Sequence, residues 1–530
     1  MSKNKKDALA KLWSGIPKAV KTAFLCCFIA GFLIHAFAFT NIIPNSDGLS
    51  RVHDAQQMTV SGRWFLHYAT AFNGFVQMPA VIGFFSVLFM SLSAAIAVSV
   101  LDVKNPVIAG VCGVLMIVFP SVAYTYLYMF TASAYFFGIL LAVWSVWLVK
   151  NKKFGFLYAA IPLACALGTY QAYLAVAASL SLICVILYAL ESKPDVKKVL
   201  LTALKYVAFL VISVIVYFIT LKLFLWAKDL ELLSYKGADS ALSSLSIGGI
   251  VSLIVGAYKQ FVGYFFIGGY FCTYADIWLK LFNCAVFVIA LIAFIKLTVK
   301  RRLHKAPVKY IITLALSAFL PIALNLSALM GDNTPIMRYA LVFTYVFALL
   351  LIDRVTEDIP CEGFTLRSAG CIAALLIIVS SFQTCNLAYT VSAQAHRASQ
   401  TFATNLVGRV ETLDGYEKGM EVAVIGAFPD EVYYCDIEAF GKVEDYSCLS
   451  SSLMPLNKHI YYYLNDWLNV RWEEPAEETM IAVAQSEEFK SMPLYPDDGS
   501  VRIIDGRAVV KLAETYTPKA DFEIAYENRK

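Results

Sequence analysis

Residues 41–78 read NIIPNSDGLSRVHDAQQMTVSGRWFLHYATAFNGFVQM, a polar stretch inside an otherwise apolar first half of the chain. It carries two carboxylates (Asp47, Asp54), two arginines (Arg51, Arg63), two histidines (His53, His67) and the aromatics Trp64 and Tyr68. A carboxylate can take the proton of an attacking hydroxyl, and fixed cations can hold the anion that departs. If residues 48–60 are helical, Asp47, Arg51 and Asp54 share one face, at spacings of four and three. The run Gly62-Arg63-Trp64 sets a guanidinium, which can grip a phosphate with two parallel bonds, beside an aromatic surface. Lys259 and Arg338 are further cations near apolar segments, and snorkelling interface residues account for them equally well. The bland reading of 41–78 is a solvated loop whose charges pair with one another. The histidines read as structural, and neither is assigned a metal.

Such residues need elements to hold them, and the composition says which kind. Of 530 residues 59% are hydrophobic and only 15% charged, with a mean hydropathy of +0.65. A soluble domain is about 25% charged, so this is a membrane composition. The net charge of +4 forms no basic stripe, and nucleic acid is not an expected partner. Most of the 12 cysteines lie in apolar runs (Cys26, Cys27, Cys112, Cys165, Cys184) and read as small packing residues. No CxxC pair or zinc spacing occurs. Cys435 and Cys448 lie together in a polar region, where a disulfide is an open possibility.

Segment 105–149 has no charged residue between its flanking lysines, and as one helix would be about twice the ~30 Å hydrocarbon core. It must fold back, with Pro120 to Phe130 as the apex; 154–190 must do so at Gly168-Thr169-Tyr170-Gln171. Basic loops at 1–21, Lys104, 150–153, 193–205 and 296–309 mark the cytoplasmic side. One solution satisfies all of them, with spans near 22–40, 79–101, 106–123, 131–149, 154–170, 172–190, 204–225, 279–297, 310–330, 338–353 and 368–386. That is a polytopic α-helical membrane protein of about 11 helices, N-terminus inside. Ala36-Phe37-Ala38 resembles a signal-peptide cleavage site, but the first stretch reads as a retained helix. Segment 245–272 would bury Lys259 mid-bilayer and invert the Lys300-Arg301-Arg302 cluster, so it reads as interfacial. The chain therefore divides into a membrane domain, 1–386, and an extracytoplasmic α/β domain, 387–530. In the latter, Glu421 to Phe428 reads as a strand and Val501 to Leu512 as a hairpin turning at Asp505-Gly506; 392–412 and 476–490 read as helices. Tyr124, Tyr126, Tyr128, Tyr170 and Tyr173 fall at outer ends, where an aromatic belt explains them and sugar stacking is the alternative.

The ordered set NSDGLSR…GRWF, FPSVAYTYLYMFTASAYFFG and ALGTYQAY resembles the GtrII-type glucosyltransferase family, best over residues 41–190. The resemblance implies a GT-C-like membrane fold that takes a sugar from a polyprenyl-phosphate donor and places it on a bacterial surface polysaccharide such as O-antigen. It implies residence in the cytoplasmic (inner) membrane, chemistry on the outer side, and a catalytic carboxylate in the first outer loop. That role falls on Asp47, with Asp54 second; Arg51, Arg63, Lys259 and Arg338 become phosphate contacts. Trp64 and the Tyr170-Gln171 turn become donor-site residues. No cofactor or metal is implied. A lipid-linked-oligosaccharide flippase or transporter would place its charges near the bilayer midplane, and often in paired repeats; here the polar groups concentrate outside. A polysaccharide polymerase would use closely similar chemistry.

Overall fold

A computed structural model describes residues 13–232, 247–267, 276–327, 334–357, 365–427, 453–454 and 457–518. Cys435 and Cys448 lie outside these residues. The chain forms two compact units: residues 1–41 with 54–387, and residues 42–53 with 388–530.

The first unit is helical: α1 (Lys18–Thr40), α2 (Leu66–Thr70), α3 (Pro79–Val100), α4 (Pro106–Val118), α5 (Pro120–Leu127), α6 (Met129–Asn151), α7 (Gly155–Tyr158), α8 (Ala160–Thr169), α9 (Tyr173–Leu190), α10 (Val196–Ala227), α11 (Ile247–Val262), α12 (Asp276–Lys300), α13 (Pro307–Ala318), α14 (Leu320–Leu324), α15 (Val342–Val355) and the start of α16 (Leu366–Glu411). Among the described residues ten helical segments are long and apolar enough to cross a membrane. They match ten of the expected spans. The other, 154–170, is the shorter pair α7–α8, and 254–267 is a second short apolar helix.

Four of the expected basic loops, at Lys104, 150–153, 193–205 and 296–309, meet at one end of this unit. Lys150 pairs with Asp102 at 2.5 Å, and Lys205 Nζ donates to the carbonyl of Val149 at 2.5 Å. The N–H groups of Lys104 and Asn105 donate to the Asp353 carboxylate at 2.8 and 3.2 Å. Lys300 Nζ reaches the carbonyl of Val355 at 3.3 Å, and Ser192 Oγ that of Arg301 at 3.3 Å. Each of these loop amines and carbonyls thereby has a partner. The bonds also force each helix that leaves this end to arrive at the other, where 59–75, 120–128, 168–171 and 335–338 gather.

At that other end one helix is broken inside the bundle. α4 stops at Val118, Phe119 takes ψ 133, and Pro120 opens α5. Pro120 has no N–H to return, and Val122 bonds to Phe119 instead, so three carbonyls are freed. Each is met by a side chain from a different segment. Tyr339 OH donates to Met116 at 3.1 Å, His35 Nε2 to Ile117 at 2.9 Å and Cys385 Sγ to Val118 at 3.4 Å. A break within a membrane-spanning helix is tolerated on this condition.

The second unit holds a three-stranded sheet of order β1-β3-β2, formed by β1 (Val422–Ile425), β2 (Val501–Ile504) and β3 (Arg507–Lys511). β1 runs parallel to β3, β2 antiparallel, and the β2–β3 hairpin turns at Asp505-Gly506 as expected. Alternate residues of β1 serve two cores. Val422 and Val424 pack with Phe402 and Leu406 of α16 and with Tyr461 of α17 (Asn457–Tyr462). Ala423 and Ile425 pack with Met480 and Val483 of α18 (Glu477–Gln485) and Phe489 of α19 (Glu487–Lys490). The expected helices at 392–412 and 476–490 are thus the two covers of one sheet.

Candidate functional site

The residues 58–64 form a tight turn at the loop end of the first unit. Arg63 N–H donates to the carbonyl of Met58 at 3.1 Å and Gly62 N–H to Thr59 at 2.9 Å, with Gly62 at φ +81. The turn delivers Arg63 into an aromatic cradle. Its guanidinium lies 5.0 Å from the ring centre of Tyr170, and its Nη1 donates to Tyr135 OH at 3.2 Å. Tyr135 and Tyr170 stack 4.7 Å apart at 11°, and Tyr173 closes edge-on against both. A cation over a ring face within about 6 Å is held by the ring quadrupole. The partially buried guanidinium therefore keeps its direction.

Trp64 does not serve as the aromatic surface for Arg63. It is buried, stacked on Phe224 of α10 at 5.4 Å. It fits there because position 168 is glycine: a Cβ at Gly168 would come within 2.6 Å of the indole. The indole N–H has no partner among the described residues. Phe65 N–H donates to the Gly168 carbonyl at 2.8 Å. Gln171 directs its amide to the carbonyl of Ser61 at 2.9 Å and to Tyr217 OH at 3.2 Å.

The remaining expected site residues are distributed as follows. Arg338 is half-buried in the 3-10 helix Pro335–Leu341, which packs on α5 and α9. Ser121 Oγ donates to the carbonyl of Pro335 at 2.8 Å, and Tyr339 is tied to Met116. Lys259 is exposed on α11, a helix that packs on α14. Asp54 is half-buried in the first unit; its Oδ1 accepts Gln56 N–H at 2.7 Å and its Oδ2 accepts Gln56 Nε2 at 3.0 Å. Asp47, Arg51 and His53 belong to the second unit. Asp47 is exposed, and its carboxylate has no partner among the described residues. Arg51 Nε donates to the backbone carbonyl of Asp47 at 3.0 Å.

The helix considered at 48–60 is not formed. Short 3-10 turns at Ser46–Gly48 and Thr59–Ser61 stand instead. Asn45 accepts Gly48 N–H at 2.7 Å, and Asp54 accepts the N–H two residues on. These local side-chain bonds compete with a helix for the backbone. Asp47, Arg51 and Asp54 consequently share no helix face. His67 is structural as expected: Nδ1 contacts the carbonyl of Ala55 at 2.7 Å, and the ring stacks on Phe75. Tyr124 and Tyr126 are fully buried rather than placed in a belt.

The arrangement is a guanidinium walled by aromatic rings at one end of an apolar helix bundle. The model of the glucosyl transferase GtrII family matches residues 36–352, more than half of the chain. The chain belongs to the GtrII glucosyltransferase family. It is a glycosyltransferase, a membrane glucosyltransferase, and the match takes in both the 41–78 stretch and the Tyr170-Gln171 turn. No curated protein and no solved structure matches the chain. Tyr135 of the cradle and Tyr217, bonded to Gln171, had no sequence signal of their own: Tyr135 lies mid-run in α6, and Tyr217 lies in α10, which reads as an ordinary lipid-facing helix.

Proposed function

We propose that this glucosyltransferase moves glucose from a polyprenyl-phosphate donor to a surface glycan, on the outer side of the bacterial cytoplasmic membrane, with inversion at the anomeric carbon. The acceptor hydroxyl loses its proton to Asp47 as its oxygen bonds to C1. The bond from C1 to the phosphate oxygen breaks, and polyprenyl phosphate leaves as an anion stabilised by arginine. What carries the reading is Arg63. Its guanidinium is held in a fixed direction by Tyr135 and Tyr170, at the end of the bundle opposite the basic loops. A prenyl tail in the bilayer brings its phosphate to such a boundary, and Arg338 supplies a second cation there. Arg51 and Lys259 are the remaining candidates. Asp47 is preferred as base because its oxygens are open among the described residues, whereas both oxygens of Asp54 are engaged by Gln56. Asp54 then acts as a positioning carboxylate.

Transfer of labelled glucose from undecaprenyl-phosphate-glucose by the purified protein tests this. Asp47→Asn keeps the size and removes the basic lone pair, so kcat should fall by about 10²–10⁴-fold with donor binding little changed. Asp54→Asn should do less. A normal Asp47→Asn with an inactive Asp54→Asn would move the base to Asp54. Full activity in both would remove the two carboxylates of the 41–78 stretch from the chemistry.

A further inference from the structure

The turn that carries Arg63 is fastened by Gln171 and by Tyr217, a residue given no role so far. Three bonds dock 61–65 onto the bundle, and a fourth ties two of the docking side chains together. Gln171 Nε2 donates to Ser61 O at 2.9 Å and to Tyr217 OH at 3.2 Å. Tyr217 OH donates to Gly62 O at 3.0 Å, and Phe65 N–H to Gly168 O at 2.8 Å. One hydroxyl thus both donates and accepts, and both of its bonds serve this turn. It sits on α10, which buries only the stripe Val199, Tyr206, Phe209, Ser213, Tyr217 and Leu221. Phe224, seven residues past Tyr217, stacks on Trp64. Two turns of this one helix therefore grip the residues on either side of Arg63.

Packing alone does not explain the hydroxyl, because phenylalanine would fill the same space. A buried hydroxyl in an apolar bundle is costly unless it is bonded, and here its partners are Gly62 and Gln171. Gly62 is the other half of the device. Its φ of +81 suits glycine, and a Cβ there would come within 2.5 Å of Gln171 Nε2 and 2.6 Å of Tyr217 OH. The turn, the glutamine and the tyrosine fit together only with position 62 bare.

We infer that Tyr217, with Gln171, is a positioning residue for the transfer: the pair locks the Gly62 turn so that Arg63 faces the donor phosphate. This rests on Arg63 contacting that phosphate, and deepens it by naming what aims the guanidinium. Arg63 itself is held at its tip by Tyr135 and Tyr170 and at its backbone by this lock. A loosened backbone changes where the tip can rest.

The test is a kinetic mutant cycle in the full-length protein with undecaprenyl-phosphate-glucose as donor. Tyr217→Phe removes both bonds of the buried hydroxyl, and should raise the donor KM about tenfold or more with acceptor KM unchanged. Gly62→Ala should do the same or more. Tyr206→Phe, on the same buried stripe but away from the turn, should leave donor KM unchanged, which separates aiming from general loss of packing. In an Arg63→Ala background Tyr217→Phe should add no further loss, because there is no guanidinium left to aim. A normal donor KM in both Tyr217→Phe and Gly62→Ala, with Arg63→Ala impaired, would overturn the lock and leave the donor reading standing. Fully multiplicative losses in the double variant would likewise overturn it. A normal Arg63→Ala would bring down the phosphate contact and the lock with it.

Discussion

The indole of Trp467 donates to the carbonyl of Leu49 at 2.9 Å, across 418 residues of chain. Leu49 is fully buried, and its core partners are Phe402, Leu406, Val424 and Tyr461, all from the C-terminal part of the chain. The short segment that follows α1 and bears Asp47 is thereby folded into the sheet-containing unit. Leu49→Ala opens a cavity in that core, and should cost about 2–5 kcal/mol. Hydrogen exchange should show faster exchange both in 42–53 and in 457–472, with α3 unchanged. Loss of protection in 42–53 alone would mean that the segment does not belong to that core.

How much of this was legible in the sequence follows from which forces act locally. The spans and the 505–506 hairpin were readable because each is written in a contiguous run, by hydropathy or by a turn residue between alternating apolar positions. The fold-back within 105–149 was readable because a charge-free run of that length cannot be one helix across the hydrocarbon core; the chain turns at Tyr128, inside the expected apex of Pro120 to Phe130. Leu49 was not readable, since an isolated leucine in a polar stretch gives no sign of a partner hundreds of residues away. A helix at 48–60, the condition for Asp47, Arg51 and Asp54 to share a face, does not form for a local reason: Asn45 and Asp54 spend their side chains on nearby N–H groups. Arg63 was found by its neighbours Gly62 and Trp64, yet its true aromatic partner is Tyr170, because the ring of Trp64 is committed to Phe224.

The break at Phe119 gives a second prediction. Tyr339→Phe leaves the Met116 carbonyl without its donor inside the bundle, which costs about 1–3 kcal/mol. The same change frees the segment that carries Arg338. Thermal unfolding in detergent should begin at lower temperature, and exchange in 334–341 should rise. Tyr158→Phe is the control, since Tyr158 is 60% exposed. An unchanged melting temperature and unchanged exchange in Tyr339→Phe would show that the freed carbonyl finds another partner.

Sidedness can be tested on the loops themselves. The basic loops meet at one end of the first unit through Lys150–Asp102, Lys300–Val355 and Ser192–Arg301. Lysine and arginine are retained on the cytoplasmic side, so this end is expected to face the cytoplasm. In a cysteine-depleted background, a cysteine at Lys152 or Arg301 should resist a membrane-impermeant maleimide on intact cells. One at Gln57, an exposed position within 41–78, or at Asp414 should react. Reaction at Arg301 together with silence at Lys152 would mean that 247–267 crosses the membrane and the helix count changes parity.

The C-terminal unit should weaken in mild acid, and His459 is the reason. It is buried beside β1, on the helix whose Tyr461 hydroxyl bonds to the backbone of Val422 and Val424. Burial, with a smaller contribution from Lys458, pushes its pKa down to about 4. The unfolded chain binds the proton near pH 6.5, before the folded one does. Stability from the neutral imidazole is therefore complete above about pH 6.5, and is lost as pH falls toward 4. One pKa unit is about 1.4 kcal/mol, so the loss across this window amounts to as much as ~3 kcal/mol. His396 is lowered too, by burial and then by Arg397, and adds in the same direction. Exchange protection of residues 457–472 should drop between pH 7.5 and 5, after correction for the intrinsic exchange rate. His459→Gln stays neutral throughout and should remove the larger part of that drop. If the drop is the same size in His459→Gln, the imidazole is not the acid-sensitive group, and His396 becomes the residue to replace.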